Sequence, residues 1–260
     1  MKIAIFTQNE RLYLPIPIGT VVEKMHEDIS FIALSPPMST HGGNLKGFLK
    51  HIPIFGIRGI FIMCYRVVWS HLAEKIGLHS TSRKYWSMKD IANKNNIPII
   101  FVDKVNSQEM HDVIDKHPSD LLVSVSCPQI LGKKLFSRFK YGAINVHSAP
   151  LPKYRGLMPG FWILYNGEKE TAVTVHEIAS KIDNGDILFQ KQIKIASNET
   201  WDSLIFKTKT AAGIALIKAI EQIKFGNVVK QLNLDTDASY FSFPTAQDAS
   251  EFRARGKKMF

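Results

Sequence analysis

The chain has 260 residues, 45% of them hydrophobic, enough for one large core or for a core with a small appendage. Its formal charge of +10 favours an anionic partner, whether nucleic acid, a membrane surface or a phosphorylated small molecule, and charge alone does not choose among them. Two cysteines, Cys64 and Cys127, exclude a disulfide framework and give no zinc spacing; with no secretory signal at the start, a reducing, cytoplasmic setting is the expectation. Residues 2–6 form a short apolar run that breaks into Thr7, Gln8, Asn9 and Glu10, as a buried first strand of a parallel sheet does. The segment 44–83 fits no strand-helix alternation, because Lys46, Lys50, Arg58, Arg66, Lys75, Arg83 and Lys84 lie among apolar and aromatic residues. It reads as an inserted basic helical element. One reading makes it a phosphate-binding or membrane-surface patch; the preferred one is a helix pair that packs its apolar side and solvates its basic side. Arg58 and Arg66 also interrupt its apolar stretch, 52–69, so no membrane span is expected where about 20 uninterrupted apolar residues are needed.

Ser87 and Asp90 have the spacing of a capping box ahead of a helix, and 97–102 is strand-like. A short helix over 108–116 and strands over 121–125 and 143–147 follow. The alternation predicts an α/β fold, a Rossmann-like, mostly parallel sheet with helices on both faces. Strands at 171–177 and 187–193 lead into a helix over 199–225, whose apolar residues recur at helical spacing; Ser197 or Asn198 can cap its start and Gly226 its end. The expected organisation is a catalytic domain over 1–195 and a helical C-terminal extension over 196–260.

Asn145 and His147, two apart on a strand, project from one face near its carboxyl end, where parallel sheets bind ligands. Pro150 and Pro152 restrict the loop that follows. On their own, these two residues are better explained by local hydrogen bonding. Asp183-Asn184-Gly185-Asp186, a turn directly before a strand, brings a carboxylate to the same rim. An amide, an imidazole and a carboxylate that converge suit attack of an amine on a carbonyl, with the first two stabilising the oxyanion and the third orienting the imidazole or relaying a proton. No metal is required. His176 reads as structural. Gly42-Gly43 and Gly56-Ile57-Arg58-Gly59 lack the spacing of a glycine-rich phosphate loop.

Three motifs in order, Asn145-Val146-His147, Leu151-Pro152-Lys153-Tyr154-Arg155-Gly156 and Asp183-Asn184-Gly185-Asp186, resemble the folate-dependent formyltransferases. That family includes methionyl-tRNA, glycinamide ribonucleotide and sugar N-formyltransferases. The resemblance implies 10-formyltetrahydrofolate as co-substrate and Asn145, His147 and Asp183 as the catalytic three. It also implies folate contacts at Cys127, Pro128, Gln129, Ile130 and Leu131, with Ile178, Ile182 and Gly185 closing the other side. One departure is that the family often reads His-Pro-Ser-Leu-Leu-Pro where this chain has His147-Ser148-Ala149-Pro150-Leu151-Pro152.

Relatives acting on initiator methionyl-tRNA carry a C-terminal barrel for which the residues after 195 leave too little chain. The expected acceptor is therefore a nucleotide-linked amino sugar for surface polysaccharide, held by Thr7, Gln8 and Asn9 and by Lys153, Tyr154, Arg155 and Trp162. Methionyl-tRNA and a non-catalytic folate- or nucleotide-binding role are the alternatives, and a homodimer is allowed for.

Overall fold

The computed structural model describes residues 1–36, 49, 51–78 and 83–260. Asn44, Lys46 and Lys50, where the basic insertion was expected to begin, lie outside them.

Strand β1 (Ile3–Gln8) is apolar on both faces because it is central, with β2 (Ile29–Ser35) on one side and β4 (Leu121–Ser124) on the other. Ile3 and Ile5 point into one layer and Ala4 and Phe6 into the other, as a period of two requires. The first layer holds α1 (Pro15–Met25) and α3 (Met88–Asn95); the second holds α4 (Gln108–Lys116) and the single turn α5 (Lys133–Phe136). With β3 (Ile99–Phe101), β5 (Ala143–His147), β7 (Glu170–Glu177) and β8 (Ile187–Lys194), the sheet runs β3-β2-β1-β4-β5-β7-β8. The first five strands in that order are parallel. The last two form an antiparallel hairpin on β5, so the mostly parallel expectation holds and the turn 178–186 is a hairpin loop at the sheet's ligand-binding end.

Ser87 caps α3 as expected by accepting from the Asp90 N–H, but the return bond from Asp90 goes to the Trp86 N–H, one residue earlier than a capping box places it. Helix α7 (Trp201–Phe225) is capped by Thr200 and Ser203, not by Ser197 or Asn198; Gly226 ends it at φ +69°. Its Ala211, Ala212, Ala215 and Ala219 pack in the same core cluster as Ile5 and Val123, so this helix is a layer of the main core. The chain beyond it returns over the sheet's end. There β9 (Tyr240–Phe241) pairs with β6 (Arg155–Gly156), and α8 (Ala246–Ala254) stacks Phe252 on Phe161 of α6 (Pro159–Tyr165).

Within the insertion, α2 (Ile52–Lys75) is broken at Gly56, where φ is +67° and ψ is 165°. The expectation that its apolar side packs holds for one face, where Ile54, Phe55 and Ala73 are buried, and is corrected for the other, where Ile57, Phe61, Tyr65, Val68 and Leu72 face solvent. By length and composition α2 is also long and apolar enough to cross a membrane, despite its two arginines.

Candidate functional site

The order of β1, β4 and β5 opens a crevice at the carboxyl ends of these strands, where the connections diverge. A pocket of about 590 Å³ lies there. Asn145, His147 and Asp183 all line it.

His147 is buried, and its Nε2 lies 2.7 Å from the Tyr154 carbonyl oxygen. A carbonyl only accepts, so Nε2 carries a hydrogen and Nδ1 is the nitrogen that faces Asp183, 3.5 Å from Oδ2. The same Oδ2 accepts from the Gly156 N–H at 2.9 Å, while Oδ1 lies 3.5 Å from His176 Nε2. Burial alone would push the Asp183 carboxyl up; the charge of His147, the bond and charge of His176 and the Gly156 N–H outweigh it and hold the group well below the usual carboxylate range. Asp183 is an anion at neutral pH.

The backbone around this cluster is held in unusual conformations. Among the described residues, four of the five non-glycine positions with positive φ are Ser126, Tyr154, Met158 and Asp183, all at the pocket or beside it. Gly156 meets a stricter demand: at φ +98°, a Cβ there would lie 2.3 Å from the Phe241 carbonyl oxygen. Only glycine fits between β9 and the carboxylate it serves. Thr174 secures the proline loop by donating to the Ala149 carbonyl at 2.6 Å and accepting from Leu151 N–H at 3.3 Å, with Gln190 behind it.

The segment 127–131 forms one wall. Gln129 and Asn106 pin it: the Gln129 side chain accepts from Val105 N–H and donates to the Asp103 carbonyl, and Asn106 bonds Ile130 and Gly132. Gln129 thus presents its backbone to the pocket and its side chain to the neighbouring loop. Leu131 and Ile178 join the apolar cluster behind the pocket, and Ile130 and Ile182 are exposed at its rim. Burial pushes the Cys127 thiol up, so it lines the wall as a neutral group. Gly185 does not line the pocket: a Cβ on it would lie 1.9 Å from the Glu177 carbonyl oxygen, and its role is to let the hairpin turn close.

Of the residues expected at the acceptor, Gln8 lines the pocket. Thr7 is buried and donates to the Val125 carbonyl, because a hydroxyl at a central strand end must be paired locally. Asn9 and Lys153 are exposed outside the pocket lining. Trp162 packs on Phe241 and donates to the Ser242 carbonyl, and Tyr154 stacks on Phe241 and donates to Glu168. Both are core residues. Arg155 is buried, binding Asn233 and Asp235, and borders a separate smaller hollow with Lys181 and Tyr240.

Two pocket residues escape a reading by spacing. His176 faces Asn145 across the β5–β7 ladder, with its Nε2 3.2 Å from Asn145 Nδ2; the expectation of a purely structural His is corrected to a side chain at the site. Its position two beyond Thr174 on a strand was the available signal. Lys209 reaches in from α7, its ammonium 2.9 Å from Ser126 Oγ, and burial lowers its pKa to about 8.

Known proteins resemble the chain in sequence and in fold. The chain is 35% identical over 172 residues to the bifunctional polymyxin resistance protein ArnA of Wigglesworthia glossinidia brevipalpis, covering 66% of this chain and 25% of that protein. It is 37% identical over 155 residues to the methionyl-tRNA formyltransferase of Lactobacillus acidophilus, covering 59% and 49%. The chain thus spans half or less of the length of these curated relatives. Among solved structures, the N-formyltransferase from Helicobacter canadensis in complex with folinic acid and dTDP-3-aminofucose matches at a TM-score of 0.58 and 20% identity, over 95% of this chain and 72% of that one, a likeness of fold. The family model for formyl transferase matches residues 64–220, more than half of the sequence, and the chain belongs to that family.

Proposed function

We propose that the chain is a cytoplasmic enzyme that transfers a formyl group from 10-formyltetrahydrofolate to the primary amine of a nucleotide-linked amino sugar, for surface polysaccharide. The observation that carries the transfer is the meeting of Asn145, His147 and Asp183 at one wall of a pocket whose other walls are 127–131 and 178–182. Those two walls suit a flat heteroaromatic ring: they are apolar at Ile130, Leu131, Ile178 and Ile182, and Gln129 is turned away. When bound, the folate supplies the electrophilic formyl carbon. Asn145 donates a hydrogen bond to the oxygen on which negative charge develops, and His147, with Nε2 given to the Tyr154 carbonyl and Nδ1 turned to Asp183, supports that charge electrostatically when protonated. Asp183, an anion held beside His147, accepts the proton that the attacking amine gives up, and that proton goes to the folate nitrogen as its bond to the formyl carbon breaks and tetrahydrofolate leaves. The acceptor's anionic part suits Lys209, whose ammonium is withdrawn from water and charged below about pH 8.

The sugar acceptor is supported by the fold neighbour from Helicobacter canadensis, whose complex holds a nucleotide-linked amino sugar. A second reading, initiator methionyl-tRNA, is favoured by the curated relatives of that activity and by the charge of +10. Incubating the chain with 10-formyltetrahydrofolate and either nucleotide-linked amino sugars or charged initiator tRNA, and following tetrahydrofolate release, separates them. Turnover is expected with a sugar nucleotide. Turnover with tRNA alone overturns the acceptor, and undiminished turnover in Asp183→Asn overturns the assigned chemistry.

A further inference from the structure

Helix α2 is held by one face and bare on the other. Its inner face carries Ile54, Phe55, Ser70 and Ala73, all buried, with Phe55 edge-on to Trp201 at 5.0 Å. Arg66 reaches inward to both oxygens of Asp202, at 2.6 and 3.0 Å, and Arg11 binds Ser70 and Glu74. The outer face presents Ile57, Phe61, Tyr65, Val68 and Leu72 at spacings of four, four, three and four, one stripe of a helix. Ile57 is 82% exposed, Phe61 72% and Val68 67%. Scattered exposed apolar residues need no explanation, whereas a contiguous stripe of this length marks a surface that binds something.

Among the described residues of the helix, the exposed charges beside the stripe are all of one sign. Arg58 and Lys75 are exposed along it, and the only carboxylate in the helix, Glu74, is turned inward to Arg11. Trp69 and Tyr65 add amphipathic rings of the kind that settle between acyl chains and headgroups. A second copy of the chain is a poor match. A two-fold pairing through this face sets its cations against themselves with no carboxylate to offset them.

We propose that α2 is a monotopic anchor that docks the protein on an anionic phospholipid bilayer, lying in the plane of the surface. The stripe enters the boundary between headgroups and acyl chains, and Arg58 and Lys75 meet lipid phosphates. The helix does not cross the bilayer, since Arg66, Ser70 and the buried residues tie its other face to the domain over most of its length. This inference is independent of the acceptor that the pocket takes.

The test uses the full chain in flotation with phosphatidylcholine vesicles, with and without phosphatidylglycerol. Binding is expected with phosphatidylglycerol, weakening as salt rises, and at least about tenfold loss is expected for Phe61→Glu with Val68→Glu. Phe61→Ser with Val68→Ser, which adds no charge, should show a smaller loss in the same direction. Trp86, Trp162 and Trp201 are buried, so a blue shift of emission on adding vesicles reports Trp69 at the interface. Circular dichroism and an unchanged Tm confirm that the variants are folded, as substitutions at solvent-facing positions should be. Absence of binding to either vesicle, or binding unaffected by the paired glutamates, overturns the proposal. So does light scattering that shows a dimer which Phe61→Glu converts to monomer, because it assigns the face to a second copy.

Discussion

Asn145 and His176 stand opposite each other across the antiparallel β5–β7 ladder, with the amide nitrogen of one 3.2 Å from Nε2 of the other. His176 Nδ1 lies 2.7 Å from the Glu177 carbonyl oxygen, which can only accept, so in the neutral ring Nε2 accepts from the Asn145 amide, and in the charged ring it turns its hydrogen to Asp183 Oδ1. The histidine therefore fixes which way the amide points. Replacing it with alanine is expected to lower kcat by about tenfold to a hundredfold with little change in KM, because a freely rotating amide loses alignment with the developing oxyanion. Kinetics of Asn145→Ala, His176→Ala and the double variant test this. A double variant no worse than Asn145→Ala is expected, and strictly additive losses would refute the positioning role.

Asp183→Asn should lower kcat/KM on the order of a hundredfold or more, and it should also change the acid limb of stability. The folded carboxyl titrates below its ordinary value of about 3.9, so its contribution is complete above that value and is lost as pH falls through the folded one. Urea unfolding at a series of pH values should show wild type more stable than the variant at neutral pH, with the gap closing below about pH 4. A gap that stays constant through the acid range would mean that the carboxylate is not held by its histidines and Gly156.

The difference between what the sequence discloses and what it hides at this site is one of register. Asn145 and His147 are legible because a strand's period of two puts them on one face, and Asp183 because its turn motif precedes a strand. The parallel core is likewise legible from apolar runs separated by helical spacing. His176 joins the cluster only through the pairing of β5 with β7, which no spacing within either strand encodes. Lys209 is hidden for a related reason: on a helix with a mostly apolar pattern, one lysine aimed at a cavity looks like one aimed at water. Thr7 and Trp162 mislead in the opposite sense. Their polar atoms stand at a strand's end and beyond the proline loop, yet backbone carbonyls at Val125 and Ser242 satisfy them. Helix α2 is read only in part by the usual preference for burying apolar residues, since an exposed apolar face leaves the same pattern in sequence as one that packs.

Lys209 gives two signatures of opposite sense. Below about pH 8 its ammonium is charged and can hold an anionic acceptor, so KM for such an acceptor is expected to rise above that pH, and Lys209→Met to raise it roughly tenfold at pH 7 with little effect on kcat. For stability the sign reverses. A buried amine with a lowered pKa costs stability while charged, and the cost fades between about pH 8 and the ordinary value of about 10.4. Lys209→Met should thus stabilise the protein at neutral pH, by only about 1 kcal/mol because the amine opens onto the pocket, and its advantage should shrink as pH rises. An unchanged KM together with an unchanged Tm would remove the lysine from the site.

Asn233 lies far from the motifs, yet its buried side chain holds from behind the turn that carries Asp183. Its Nδ2 donates to the carbonyls of Asp183 and Gly185, both at 2.9 Å, and its Oδ1 accepts from Arg155 at 2.7 Å. Arg155 in turn binds Asp235, which also takes Asn184. Asn233→Ala leaves two carbonyls and a guanidinium hydrogen without partners, at a cost of about 2 kcal/mol or more. Asn233→Asp keeps the size and the contact with Arg155 but has no N–H to give, so it is expected to resemble the alanine variant. Measured well below each variant's Tm, both should lose about tenfold or more in kcat while KM for folate changes little, because the turn no longer sets the carboxylate against His147 Nδ1. A lower Tm with undiminished kcat in both would show that Asn233 stabilises the turn without positioning Asp183. A kcat loss in alanine but not in aspartate would place the effect on Arg155 instead.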